Sequence, residues 1–172
     1  MNNLTNDRHL IKSFIIILLC FVIDSTISYF LPYNFTKTSI TLTPYFSLMM
    51  FCMLVKTIEG AERYFFASIC GVYYSVVYTN SLAIYILIFA LIAFVRSYIY
   101  KFDKLSFFEM MIFCVLTIFS QEFVLYWLMK VTGITFMKVI SVLLMRILPT
   151  IGLNIVLYVF VYVAFNLTVS GE

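Results

Sequence analysis

The chain has 172 residues, of which 64% are hydrophobic and 11% are charged, and its mean hydropathy is +1.07. Soluble domains carry about 25% charged residues, so this composition excludes an ordinary soluble domain and predicts an integral membrane protein. The net charge of +3 is scattered along the chain and forms no basic face, which argues against a nucleic-acid partner.

The apolar runs predict an all-α, polytopic membrane protein in which residues 1–172 form one transmembrane domain. The polar residues 1–9 are expected to form a tail or an interfacial turn. The first apolar run is too long for a signal-peptide core and no small-residue cleavage site follows it, so we expect a retained helix. Six transmembrane helices are predicted, at about 11–31, 40–55, 64–79, 82–100, 106–129 and 139–166.

The second predicted helix is unusually short. From Pro44 to Val55 it holds roughly 12 residues, or about 18 Å at 1.5 Å per residue, whereas a crossing helix needs about 20 residues. We therefore expect a tilted or partly buried segment. The charged turn that follows places Glu59 and Arg63 at a favourable i,i+4 spacing.

Basic residues predict the orientation of the bundle. Six helices put both termini on one side of the membrane, and loops on the cytoplasmic side carry an excess of Lys and Arg. With the N-terminus in the cytoplasm, the inner segments hold seven basic residues and the outer segments three, so we predict that both termini are cytoplasmic. The inner set is Arg8, Lys12, Lys56, Arg63, Arg96, Lys101 and Lys104, and the outer set is Lys37, Lys130 and Lys138.

The last predicted helix has membrane-spanning length but carries residues that are costly in lipid. Pro149 cannot donate a backbone hydrogen bond, so the carbonyl of Met145 is left free and a kink is expected. Polar residues at i+4 steps form one stripe, which has to face protein rather than lipid. The stripe consists of Arg146, Thr150, Asn154, Tyr158 and Tyr162.

Three ionisable residues, Asp24, Glu122 and Arg146, fall inside predicted spans at matching depths in the outer half of the membrane. An ionisable residue there costs about 3 kcal/mol or more unless it is paired. We therefore predict a buried cluster of these three residues, with Gln121 and Asn154 as neutral partners. The cluster has three possible roles: a lock between helices one, five and six, a partner-binding groove, or a site for a transported ion.

Other residue patterns point away from catalysis. Gly71 is expected at a close contact between helices, and His9 stands alone and cannot form a metal site. The sequence contains no HExxH, GxSxG, P-loop or dinucleotide fingerprint, so we expect no enzyme activity, no cofactor and no metal. The cysteines lie in apolar runs without CxxC spacing and are predicted to be buried free thiols, at positions Cys20, Cys52, Cys70 and Cys114.

Several segments resemble the bacterial rod shape-determining protein MreD family. The chain length and six-helix plan match, as do the segments FVIDSTISYFLP with Asp24 and Pro32, and LTPYFSLMM around Pro44. The clearest local similarity is LPTIGLNIVLYVFVY, where Pro149 and Asn154 stand where the family tends to have a proline and an asparagine. This resemblance covers nearly the whole chain.

One position departs from the family pattern. The family commonly carries a glycine followed by an aspartate in the third helix, whereas Gly71 is followed here by Ser75 in GVYYS. A role carried over to that site is therefore not implied.

The resemblance implies a non-enzymatic scaffold of the cell-elongation machinery in the bacterial cytoplasmic membrane. Such a scaffold would bind the membrane-anchored MreC and, with other elongation-complex proteins, help link MreB filaments to peptidoglycan synthesis and cell shape. The family is also similar in fold to the substrate-binding subunits of vitamin importers, so an importer subunit is the alternative. A scaffold predicts polar pairs packed without water, whereas an importer predicts an open cavity of several hundred Å³ at the intramembrane charges.

Overall fold

The computed structural model describes residues 2–30, 40–58, 60–78, 82–98 and 106–168. Within these ranges the regular structure is entirely helical, as the composition predicts. Six helices are described: α1 Asn2–Phe30, α2 Phe46–Leu54, α3 Gly60–Tyr78, α4 Leu82–Tyr98, α5 Phe107–Val131 and α6 Val139–Thr168.

Three helices in the described part of the chain are long and apolar enough to cross a membrane. They are Leu10–Phe30 within α1, which has 21 residues, α5 with 25 residues, and α6 with 30 residues. The segment Ala83–Tyr98 of α4 is a shorter apolar helix. The membrane-protein prediction from composition is therefore matched by helices of spanning length.

Two helices begin earlier than the sequence predicts. α1 begins at Asn2, so the predicted polar tail is helical, because extending a formed helix costs far less than nucleating one. α3 begins at Gly60, four residues before the predicted start, and this glycine has a φ of +60° that other residues rarely adopt.

α2 lies at the centre of the fold. All residues from Ser47 to Leu54 are buried, and α2 contacts α1, α4, α5 and α6. The predicted helix over 40–55 is wrong in its first part, because residues 40–45 are not helical. Pro44 disfavours helical geometry in the residue before it. We expected a tilted or partly buried segment; the structure shows a buried one, and its tilt in the membrane stays a prediction.

Close packing joins α3 to α4. A Cβ atom placed on Gly71 would lie 2.5 Å from the Cα atom of Ile86, nearer than two carbon atoms can approach. The prediction that Gly71 is a close-packing position is therefore confirmed. Phe51 of α2 stacks against Phe66 of α3 and meets Phe89 of α4 edge to face.

The four cysteines are buried free thiols, as predicted.

Candidate functional site

An ion pair between α5 and α6 forms the centre of the buried polar cluster. Arg146 Nε donates to Glu122 Oε2 at 2.7 Å, and Arg146 Nη2 lies 3.4 Å from Glu122 Oε1. The two residues are 4% and 1% exposed. The Tyr45 hydroxyl donates to Glu122 Oε1 at 2.6 Å. The predicted contact between Glu122 and Arg146 is therefore present, and hydrogen bonds compensate the buried carboxylate.

Asp24 caps α2 instead of joining this ion pair. One carboxylate oxygen accepts from Phe46 N at 2.9 Å, and the other accepts from Ser47 N at 2.8 Å and from the Ser47 hydroxyl. The first N–H groups of a helix have no partner within it, and a negative charge there is favourable. The predicted three-charge cluster is wrong for Asp24, because the N–H groups at the start of α2, which lack partners within the helix, donate to its carboxylate.

A positive charge lies at the other end of α2. Arg63, on α3, donates from Nε to the carbonyl oxygens of Val55 at 3.1 Å and Ile58 at 2.8 Å. Carbonyl groups at a helix C-terminus lack partners within the helix, and a cation stabilises them. Glu59, the predicted partner of Arg63, lies outside the described residues. The central helix is thus held at each end by a charge from a neighbouring helix.

Asn154 on α6 binds the non-helical segment that precedes α2. Its Oδ1 accepts from Tyr45 N at 2.8 Å, and its Nδ2 donates to the carbonyl oxygens of Thr43 and Thr150, each at 2.8 Å. Its side chain is 1% exposed. The Asn154 side-chain amide therefore bonds the segment before α2 to α6.

The region around Pro149 on α6 provides a further contact with the non-helical segment before α2. A π-helical turn over Leu143–Ile147 precedes the proline. The kink expected at Pro149 stays a prediction. Thr41 N donates to the Met145 carbonyl oxygen at 3.0 Å. The Met145 carbonyl oxygen, to which Pro149 cannot donate, therefore binds the non-helical segment 40–45 through Thr41.

These contacts give the polar stripe of α6 a physical reason. In a membrane, non-helical backbone has to be satisfied by protein groups, because the hydrocarbon core supplies none. Met145, Thr150 and Asn154 supply partners for residues 40–45, while Tyr158 donates to the Phe107 carbonyl oxygen at 3.0 Å. The prediction that the stripe faces protein is confirmed.

Gln121 lies apart from this cluster. Its side chain is 2% exposed, yet within the described part of the chain neither its Oε1 nor its Nε2 has a hydrogen-bond partner. It lines a groove of about 240 Å³ between α4 and α5. Successive helical residues point about 100° apart, so Gln121 and the adjacent Glu122 reach different surroundings.

Sequence reasoning missed two contributors to the polar cluster. Tyr45 binds both Asn154 and Glu122, and Ser47 binds Asp24. The signal for both was the junction Pro44-Tyr45-Phe46-Ser47, where a proline next to an apolar run indicates a helix start that needs partners. Arg96, counted above among the inner basic residues, lies within α4, inside the predicted helix over 82–100. Its burial, with 4% exposure, was not predicted.

Comparisons of the chain with protein-family models, with characterised proteins and with solved structures find no match. Among the described residues, no group of three or more His, Cys, Asp or Glu side chains could hold a metal ion. The polar cluster instead joins α1, α2, α5 and α6 through charges and amides with fixed partners. The role of this cluster therefore rests on its own geometry and on the resemblance of its segments.

Proposed function

We propose that this chain is a non-enzymatic scaffold of the bacterial cell-elongation machinery, of the MreD type, in the cytoplasmic membrane. It would bind the membrane-anchored MreC and help couple MreB filaments to peptidoglycan synthesis. The observation that carries this proposal is the convergence of the segments that resemble the family. Asp24 contacts the start of α2, two residues after Pro44, and Asn154, five residues after Pro149 on α6, contacts Tyr45 at the same junction.

The packing of the charged residues favours a scaffold over an importer subunit. Glu122 and Arg146 are bonded to each other, and Asp24 is bonded to α2. The groove of about 240 Å³ is lined by α4 and α5 and contains none of these three residues. Buried polar groups that are bonded directly to each other suit a protein that presents a fixed surface, whereas a substrate site needs polar groups that converge on a cavity.

A multi-pass topology with six crossings and both termini in the cytoplasm belongs to the same proposal. α2 has nine residues, or about 14 Å, and cannot cross alone. Residues 40–45 add at most about 20 Å as extended chain. Together they reach about 34 Å, which matches the roughly 30 Å of hydrocarbon, and α6 satisfies the backbone of the non-helical part.

The test is affinity purification of the tagged protein from its own cells in mild detergent, followed by mass spectrometry. We expect MreC or other elongation-complex proteins to be recovered with the wild-type chain and lost with Arg146→Ala. Lys138→Ala, which removes an exposed cation at the start of the same helix, is the matched control and should retain the partners.

Only the monodisperse fraction from size-exclusion chromatography is compared, so that loss of a partner is not confused with loss of folding. Recovery of an ABC-type ATPase pair in place of elongation proteins would contradict the proposal and identify an importer subunit.

A further inference from the structure

The groove between α4 and α5 combines mostly apolar walls with one buried side chain, that of Gln121, whose polar atoms are unsatisfied in the described part of the chain. Its lips are formed by exposed leucines, Leu87 and Leu91 on α4 and Leu116 on α5. Its α5 wall also carries Thr117, Ser120 and Gln121. The Thr117 hydroxyl already donates to the Phe113 carbonyl oxygen at 2.8 Å, and Ser120 is exposed. Gln121 is thus the buried polar residue of this groove whose donor and acceptor have no partner in the described part of the chain.

The depth of Gln121 restricts what can satisfy it. It lies about 21 Å along α5 from Phe107 and about 15 Å from Val131, near the middle of a helix of spanning length. Lipid headgroups lie at the ends of such a helix, and acyl chains offer no hydrogen bonds. A buried amide without a partner is costly in hydrocarbon, so it needs either an ordered water or a polar group of another transmembrane segment.

The shape of the groove fits a helix. Its α5 wall runs from Phe113 to Val124, about 17 Å of axial rise, and its α4 wall runs from Leu87 to Val95, about 12 Å. Lining residues recur at i+3 and i+4 on α5 and at i+4 on α4, so both walls are continuous stripes. Two to three turns of a third helix can lie between such walls.

We propose that this groove receives a transmembrane helix of another protein that presents a Gln or Asn side chain at mid-membrane depth. A primary amide can donate to Oε1 and accept from Nε2 of Gln121 in one reciprocal pair, which a hydroxyl group cannot do as completely. A neutral partner avoids the cost of placing a charge at the membrane centre. The inference goes beyond the proposed function and does not depend on it.

The experiment uses the full chain in phosphatidylcholine vesicles with synthetic transmembrane peptides as probes. Trp127 is the one tryptophan in the chain, is 46% exposed, and lies six residues beyond Gln121 on α5. Energy transfer from Trp127 to an acceptor on the peptide therefore reports binding beside the groove. The two probes are a Leu/Ala helix of about 20 residues with one central Gln, and the same helix with Leu at that position.

We expect the Gln peptide to bind the wild-type chain about three- to tenfold more tightly than the Leu peptide. Gln121→Leu should abolish this preference. Gln121→Met should do the same, and it serves as a second variant if leucine fits the groove poorly. Thr117→Val removes a hydroxyl group that is already satisfied in the same groove, so it should leave the preference unchanged.

Three results would overturn the proposal. Equal binding of the two peptides to the wild-type chain would show that the amide does not select its partner. A preference that survives in both Gln121 variants would place the binding elsewhere. Failure of both peptides, with Gln121-dependent self-association of the protein, would identify a second copy as the occupant. None of these outcomes decides whether MreC is recovered from cells, so the two proposals fail separately.

Discussion

Gln121 and Glu122 are consecutive residues of α5, both almost fully buried, and their surroundings differ completely. Glu122 accepts hydrogen bonds from Arg146 and Tyr45, whereas the Gln121 amide has no partner in the part of the chain that the structure describes. The charged residue, which is the more costly of the two to bury, is the one that the fold satisfies. The neutral residue is buried at the groove between α4 and α5, and its amide is left unsatisfied.

This difference separates two uses of polarity inside a membrane protein. In the polar cluster, side chains from α1, α5 and α6 satisfy the backbone around a short central helix, so polarity there maintains the fold. In the groove, an amide at mid-helix depth is left without a partner in the described part of the chain, and we propose that a helix of another protein completes it. Substitutions that act on one region and spare the other can test this separation.

The largest expected effect comes from breaking the ion pair. Glu122→Gln leaves Arg146 as a buried charge without its counter-charge, which should lower the free energy of unfolding by about 3–5 kcal/mol. The measurement is an SDS titration in mixed micelles, followed by circular dichroism. The double variant Glu122→Leu/Arg146→Met removes both charges and should recover at least half of the loss, because a buried pair can be replaced by apolar residues at little cost.

A smaller effect is expected from Tyr45→Phe. It removes the hydroxyl group that donates to Glu122 at 2.6 Å, and a hydrogen bond to a charged group contributes about 1.5–3 kcal/mol. Tyr126→Phe is the control, because that hydroxyl donates to the neutral Met137 carbonyl at 3.0 Å and should cost only about 0.5–1.5 kcal/mol. Equal losses in the same titration would mean that Glu122 does not depend on Tyr45.

Gly71→Ala tests whether the α4 wall of the groove is held in place by α3. The new methyl group would collide with the backbone of Ile86, which cannot rotate away as a side chain could, so we expect a loss of about 1–3 kcal/mol. Gly152→Ala has open space around it and should gain up to about 1 kcal/mol from helix propensity. Thermal unfolding in detergent distinguishes the two, and a neutral Gly71→Ala would show that α3 and α4 can separate.

Part of this arrangement could be predicted from the sequence because it depends on one helix at a time. Apolar runs indicate where helices lie, and i+4 spacing indicates that Arg146, Thr150 and Asn154 share a face. Matching depths on two helices were enough to predict the contact between Glu122 and Arg146. Each of these depends on position along a helix axis, which residue counting gives directly.

The rest depends on lateral packing, which residue counting does not give. Asp24 was expected beside Arg146 because their depths match. However, α2 lies between the long helices, and the unpaired N–H groups at its start bind the Asp24 carboxylate. Arg96 was counted among the inner basic residues, and the sequence did not indicate that its side chain is buried at the end of α4. Gln121 was grouped with Glu122 as its neighbour in sequence, although a turn of about 100° sends the two side chains to different surroundings.

The most direct test of this account is a comparison of Gln121→Leu with Glu122→Leu in one SDS titration. Both changes place the same apolar side chain on adjacent residues of one helix. We predict opposite signs: Glu122→Leu should destabilise the isolated chain by at least about 3 kcal/mol, and Gln121→Leu should stabilise it by about 1 kcal/mol, because an unsatisfied amide is removed. Destabilisation by both variants would show that Gln121 serves the fold as Glu122 does, and would contradict a groove kept for a partner.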